Sequence, residues 1–300
     1  MSHSFAYIQG RDKILHGFFL SCAVFSLFAL SCICAFLFAD GIPFILQTGL
    51  DNFFGMTWNI YSESYGILPM ISASLYVTAL ATVVGVTVGL SAAISLYQFT
   101  PPKVVPLIRQ MINLLAGIPS VLYGLFGMIL IVPFLRDTLS PNGVGYGILA
   151  AGLVLSVMIL PTIVSVSLDA LNAVPKSYYE GALALGATKP QCVFTVMVPG
   201  AKSGIFAAIV LSIGRAIGET MAVIMVIGGS PVMPESLFQS VRTLTANIAM
   251  GATELRGDAV TALVATGLVL FFFTLLLNVC FSLLKEGSGN DSKRTQKTDL

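Results

Sequence analysis

Two ionisable side chains stand where the sequence is otherwise apolar. Arg215 and Glu219 interrupt the run from Ser203 to Gly228, and Thr220 adds a hydroxyl beside them. Arg215 comes 12 residues after Ser203, about 18 Å along a helix and so near mid-membrane if that run spans a bilayer. An Arg at such depth costs roughly 2.5–3.5 kcal/mol on insertion scales, which disfavours a bare charge facing lipid. On a continuous helix the four-residue spacing puts both groups on one face, where each partly neutralises the other. Two chemistries fit. Either the two form a buried ion pair that locks helix packing, or Arg215 meets an anion in transit while Glu219 holds it in position or exchanges partners with it. A guanidinium engages oxyanion oxygens through paired hydrogen bonds, and an anion needs opposite charge along a low-dielectric path.

The elements that must position this pair are membrane spans. Of the 300 residues 56% are hydrophobic and 10% charged, against about 25% charged in soluble domains. Six runs reach the ~20 residues that cross a bilayer core. They are Ile14 to Phe38, Ile67 to Leu96, Val105 to Leu135, Val144 to Ser167, Ser203 to Gly228 and Val260 to Leu284. The fold class predicted is all-α, a polytopic membrane protein with about six transmembrane helices and no need of strands. A cytoplasmic N-terminus at 1–13, a first helix at 14–39, five further spans within 67–284 and a disordered cytoplasmic tail at 285–300 follow. The first run is too long for a cleaved signal and is read as a retained helix.

Charge distribution sets the orientation. With the N-terminus inside, Arg11, Lys13, Lys103, Arg109, Lys176, Lys189, Lys202 and the basic residues from Lys285 onward collect on one side, and Arg136, Arg242 and Arg256 on the other. The positive-inside rule then puts both termini in the cytoplasm. The near balance of 15 Lys+Arg and 14 Asp+Glu gives no reason to expect a nucleic-acid partner. Five cysteines, four of them in apolar runs, read as reduced or buried thiols, and no metal site is expected. Trp58, Tyr61 and Tyr65 in the first outer segment read as interface anchors or partner contacts. Arg242 and Arg256 read as solvated surface charges, with docking of an outer partner as the alternative, and Arg109 as a residue that snorkels to headgroups, with a second anion contact as the alternative.

Glycine and proline recur inside the spans, at Pro119, Pro133 and Pro161 and in the pairs Gly85/Gly89 and Gly214/Gly218. Tight helix packing accounts for them, with a moving gate at Gly117-Ile-Pro-Ser120 as the alternative. Between spans four and five, 172–200 is too rich in helix formers for a plain connector. Pro175 suits a first helical turn, Gly186 can supply the left-handed residue that ends the helix, and Pro190 blocks its continuation. Tyr178, Tyr179, Glu180, Gly181, Ala182, Leu183, Ala184 and Leu185 then form a short helix outside the membrane. It could offer a surface to a groove on another protein or rest on lipid headgroups.

Glu180-Gly181-Ala182, three residues, Gly186, nine residues and Val196-Met197-Val198-Pro199 resemble the EAA loop of binding-protein-dependent ABC importers, the MetI-like inner-membrane components. Glycine replaces the first alanine and valines the aliphatic pair, with the spacing intact. The resemblance narrows to phosphate-specific permeases of the PstC type through Tyr65 to Ile71, Leu115 to Gly127, Met158 to Thr162, Ala184 to Thr188 and Arg215 to Val223. A PstA-like permease usually has Ala-Pro at Met221-Ala222.

The resemblance implies that 178–186 is a coupling helix seated on a cytoplasmic ATPase. It implies as partners a PstA-like permease, two PstB-like ATPase subunits that hold ATP and magnesium, and an extracytoplasmic PstS-like phosphate-binding protein, in a bacterial inner membrane. The chain has no phosphate-cradling Gly-x4-Gly-Lys-Ser/Thr loop, so it is read as a transport subunit without a cofactor of its own and not as an enzyme. Other cargo, such as molybdate or sulfate, an ion-coupled carrier with Glu219 as proton site, and a structural scaffold are the competing readings.

Overall fold

The computed structural model describes the backbone of residues 2–141 and 143–298, and side chains within 15–283 apart from 142, 281 and 282. The expected terminal segments 1–13 and 285–300 therefore lie outside the described side chains. Helix α1 (Ser2–Thr48) carries the first apolar run beyond Ala39 and through Pro43. It is followed by α2 (Leu50–Phe53) and an antiparallel hairpin of β1 (Trp58–Asn59) and β2 (Ser64–Tyr65). Next come α3 (Leu68–Ile94), α4 (Val105–Ala116), α5 (Ser120–Phe126), α6 (Val132–Thr138) and α7 (Ile148–Asn172). The chain continues through α8 (Lys176–Ala184), α9 (Lys189–Cys192), α10 (Val198–Gly200), α11 (Lys202–Gly218), α12 (Met221–Ile227), α13 (Leu244–Glu254) and α14 (Asp258–Thr298).

Five stretches are long and apolar enough to cross a membrane: Leu15–Thr48, Leu68–Phe99, Ser120–Thr138, Ile148–Asn172 and Asp258–Cys280. A sixth forms if Lys189–Gly200 and Lys202–Gly218, which meet at 68°, count as one bent span. Two predicted runs are redrawn. The third splits, because Pro119, extended at ψ 138°, ends the helical path of α4 and starts α5 as its N-cap. The separated α4 is amphipathic: Ile108 and Ile112 pack inward while Leu107, Met111 and Leu114 stay exposed. The fifth breaks at Glu219, which is also extended.

Helix α7 is the axis of the fold, with 67% of its most apolar stretch buried against 0% for α1. Its neighbours are α3, α11, α12 and α4. The pair Gly85/Gly89 explains how closely α3 approaches it. A Cβ at Gly85 would fall 2.7 Å from Ile159 Cδ1, and one at Gly89 2.8 Å from Ile163 Cγ2. Gly214 and Gly218 behave differently, since a Cβ at either meets nothing within 4 Å. Packing within the chain accounts for the first pair and not for the second.

The outer segment after α1 is more ordered than a polar loop. Trp58 and Tyr65, which the sequence assigns to an interface or a partner, are 7% exposed and stack edge to face at 5.6 Å. Phe44 and Phe53 close the same cluster, so these rings serve as core, and burying them requires the two short strands that hydropathy gave no reason to expect. Tyr61 alone of the three is fully exposed.

Candidate functional site

The break in the fifth span separates the two charges that sequence spacing stacks together. Helix α11 ends at Gly218, Glu219 is extended at φ −73° and ψ 128°, and Thr220 is the N-cap of α12. No ion pair joins Arg215 to Glu219 among the described residues. Glu219 Oε1 instead accepts the Ala222 N–H at 3.1 Å, placing a carboxylate at the positive end of α12. Thr220 Oγ1 donates to Gly218 O at 3.4 Å. The break is held from outside: Thr245 Oγ1 at the start of α13 donates to Glu219 O at 3.1 Å.

Arg215 sits in the last turn of α11, where the helix dipole favours a cation. Ile205, Ala208, Ser212 and Ala216 point into the fold. Leu211, Gly214, Arg215 and Gly218 form the opposite face and are exposed. Arg215 has one long contact, Nη1 to Thr162 Oγ1 at 3.5 Å, and lies within electrostatic reach of the Tyr123 hydroxyl. Among the described residues it is thus an uncompensated guanidinium, on an open, glycine-flanked face about 20 Å along the helix from Lys202.

The connector 172–200 folds as its local chemistry dictates. Pro175 is the N-cap of α8 and Gly186 adopts φ +88°. The Gly186 N–H bonds Leu183 O at 2.9 Å and the Ala187 N–H bonds Ala182 O at 3.1 Å, the paired closure of a helix ended by a left-handed residue. Pro190 does more than block continuation, because it lies in the first turn of α9, where Thr188 N–H donates to Gln191 Oε1 at 2.8 Å. No residue of α8 is buried, and Leu185 is 91% exposed. Tyr179 is the inward-facing residue, packed in the cluster around Met197 and Leu171, and its hydroxyl accepts from Gln98 Nε2 at 2.9 Å. Through that bond α8 is tied to the π-helical turn 95–99 at the end of α3.

Two other charges have partners within the chain. Arg109 on α4 pairs with Asp169 near the end of α7, and both side chains remain partly exposed. Arg242 is half-buried rather than solvated, donating from Nε to Gly229 O at 2.7 Å and from Nη1 to Asn247 Oδ1 at 3.2 Å. Burial pushes its pKa down. Arg256 remains exposed.

Residues 85–287 match the model of the binding-protein-dependent transport system inner membrane component family. The chain belongs to this family. A Bacillus subtilis relative named "Probable ABC transporter permease protein YqgH" is 40% identical over 268 residues, covering 86% of each chain. The phosphate transport system permease protein PstC of Mesorhizobium japonicum is 34% identical over 285 residues, 89% of this chain and 87% of the relative. Among solved structures, a bacterial alginate ABC transporter chain superposes with a TM-score of 0.63 at 16% identity, covering 90% of this chain and 93% of its own length. An inward-facing MetNI methionine transporter chain gives 0.58 at 20% identity, covering 74% and 95%. These two show the fold alone, and it is the family match that makes the chain an inner-membrane transport component.

Sequence reasoning missed several residues of this permease. Thr162 and Tyr123 lie by Arg215, Gln98 by Tyr179, and Thr245 by Glu219. Each acts across 26 or more residues of sequence, and nothing local announces it. The one usable signal was Gly218 directly before Glu219, a weak point for a helix.

Proposed function

We propose that this permease is the membrane subunit of an ATP-driven importer of inorganic phosphate. The observation that carries the proposal is Arg215, an exposed guanidinium in the last turn of α11, about 20 Å from Lys202, on a face that no described residue covers. A charge there facing lipid would be costly. A second permease subunit, PstA-like, covers this face, and the gap between the two is the anion path. Names of relatives as phosphate transport system permeases support phosphate as cargo.

In this reading both termini are cytoplasmic, and α8 with its exposed Leu185 and Tyr178 seats in a groove of a PstB-like ATPase, which binds ATP and magnesium and supplies the hydrolysis. A PstS-like binding protein delivers phosphate from outside. Closure of two ATPases draws the coupling helices together and opens the path outward, and phosphate passes Arg215 with Thr162 and Thr220 as neighbouring hydroxyls. Binding at Arg215 is weak by design of the cycle, because an ion held tightly is not released. Glu219, bonded to α12, keeps the helix break in shape and leaves the guanidinium free for the anion. The test is ATP-dependent uptake by the reconstituted complex, comparing labelled phosphate, molybdate and sulfate. Uptake of phosphate above the other two is the expected result. Preference for another oxyanion would reassign the cargo, and uptake without ATPase subunits would replace the class with an ion-coupled carrier.

A further inference from the structure

A second cationic group lies on the far side of the break from Arg215. Arg242 precedes α13, whose Thr245 touches the main chain of Glu219. Its guanidinium has five N–H groups, and the bonds to Gly229 O and Asn247 Oδ1 use two of them. Among the described residues no carboxylate lies within ion-pair distance of it, and the carboxylate that acts on it from farther away is that of Glu254. Beside it, Asn247 is 1% exposed, and its Nδ2 is a buried donor with no partner. The assignment of the Asn247 amide is fixed by Arg242, because only the oxygen can accept from Nη1. The free amide N–H therefore stands next to a half-buried guanidinium that has N–H groups to spare. The spare guanidinium N–H groups and the orphaned amide N–H are all donors, Glu254 acts on Arg242 only from beyond ion-pair distance, and unsatisfied donors of this kind fit an acceptor that carries negative charge.

We infer that Arg242 and Asn247 form a second site for a small oxyanion, on the opposite side of the helix break from Arg215. The inference rests on the anion-transport reading and adds a station to it: the anion meets Arg242 and Asn247 before it meets Arg215. A purely structural role predicts something different. If Arg242 only ties Gly229 to Asn247, any acceptor at position 247 serves as well. Asn247→Asp keeps the oxygen that Arg242 bonds and replaces the free N–H with a second oxygen. The lock would be preserved or strengthened, whereas an oxyanion site would be lost, since the new carboxylate neutralises the guanidinium and repels the anion.

The test uses the full chain purified in phospholipid-free detergent, with the rate of Arg242 modification by phenylglyoxal followed by mass spectrometry. Millimolar inorganic phosphate is expected to slow the modification several-fold, and to do so equally in Arg215→Gln. Protection should vanish in Asn247→Asp while thermal stability is unchanged or raised. Asn247→Leu, which leaves the guanidinium reactive, should weaken protection if the aspartate variant does not fold. Absence of protection in the wild-type chain overturns the site, and so does full protection in both variants. The same measurement in phosphatidylglycerol nanodiscs separates a free oxyanion from a lipid headgroup: protection by the lipid alone, with phosphate adding nothing, also overturns it. Protection in a complex that fails to import phosphate would keep the site and remove the cargo, and import without protection would do the reverse.

Discussion

Gly89→Ala and Gly214→Ala are the same chemical change, and the structure assigns them opposite consequences. At Gly89 the added methyl would lie 2.8 Å from Ile163 Cγ2 and 3.0 Å from its Cβ, where carbon atoms prefer about 3.5–4.0 Å. Ile163 is fully buried in α7, and a rotamer change cannot move a Cβ. Helix α3 must then shift away from α7, and overpacking of this kind costs about 1–3 kcal/mol. Ala gains back at most about 1 kcal/mol over Gly in helix propensity. Gly214 meets nothing within 4 Å, so only the propensity gain remains there. The assay is thermal unfolding of the detergent-purified single subunit. Gly89→Ala should unfold below wild type, and Gly214→Ala at or above it. Gly214→Ala should show its effect only in the assembled transporter, as slower uptake, because the methyl then narrows the face beside Arg215. Equal destabilisation of the isolated subunit by both changes would refute the claim that the Gly214 face is open in this chain.

Arg215→Gln is expected to abolish phosphate uptake while the complex still assembles; wild-type uptake in vesicles would remove Arg215 from the path. Gly186→Val places a β-branched residue at φ +88° with a strain of roughly 1–2 kcal/mol, so co-purification of the ATPase should drop while membrane insertion is normal. Tyr179→Phe deletes the bond to Gln98, worth about 0.5–1.5 kcal/mol. It should leave ATPase binding intact and lower the phosphate moved per ATP hydrolysed, a ratio that simultaneous uptake and hydrolysis measurements give directly.

What the sequence made legible was what local chemistry decides. Apolar length marks most of the spans, and Pro175 with Gly186 marks both ends of α8 at the residues where they occur. The break at Glu219 left only the weak trace of Gly218, because glutamate is a good helix former and the contact that holds the break comes from Thr245 on another element. Trp58 and Tyr65 were misplaced for a related reason. Aromatic residues near a membrane surface look like anchors until Phe44 and Phe53 arrive to bury them. The partners of Arg109 and Arg242 were not legible, because a charge finds its partner in space, at Asp169 and at Asn247, and spacing along the chain carries no trace of either.

Helix α11 is interrupted at both ends, by the 68° bend at its start and by the extended Glu219 at its finish. Mechanically it is a connecting rod about 25 Å long with a break in the helical path at each end. Such a rod conveys thrust along its axis and passes on little bending or torque. In the proposed cycle a movement of the connector would reach the guanidinium as a displacement along α11, with α12 free to keep its angle.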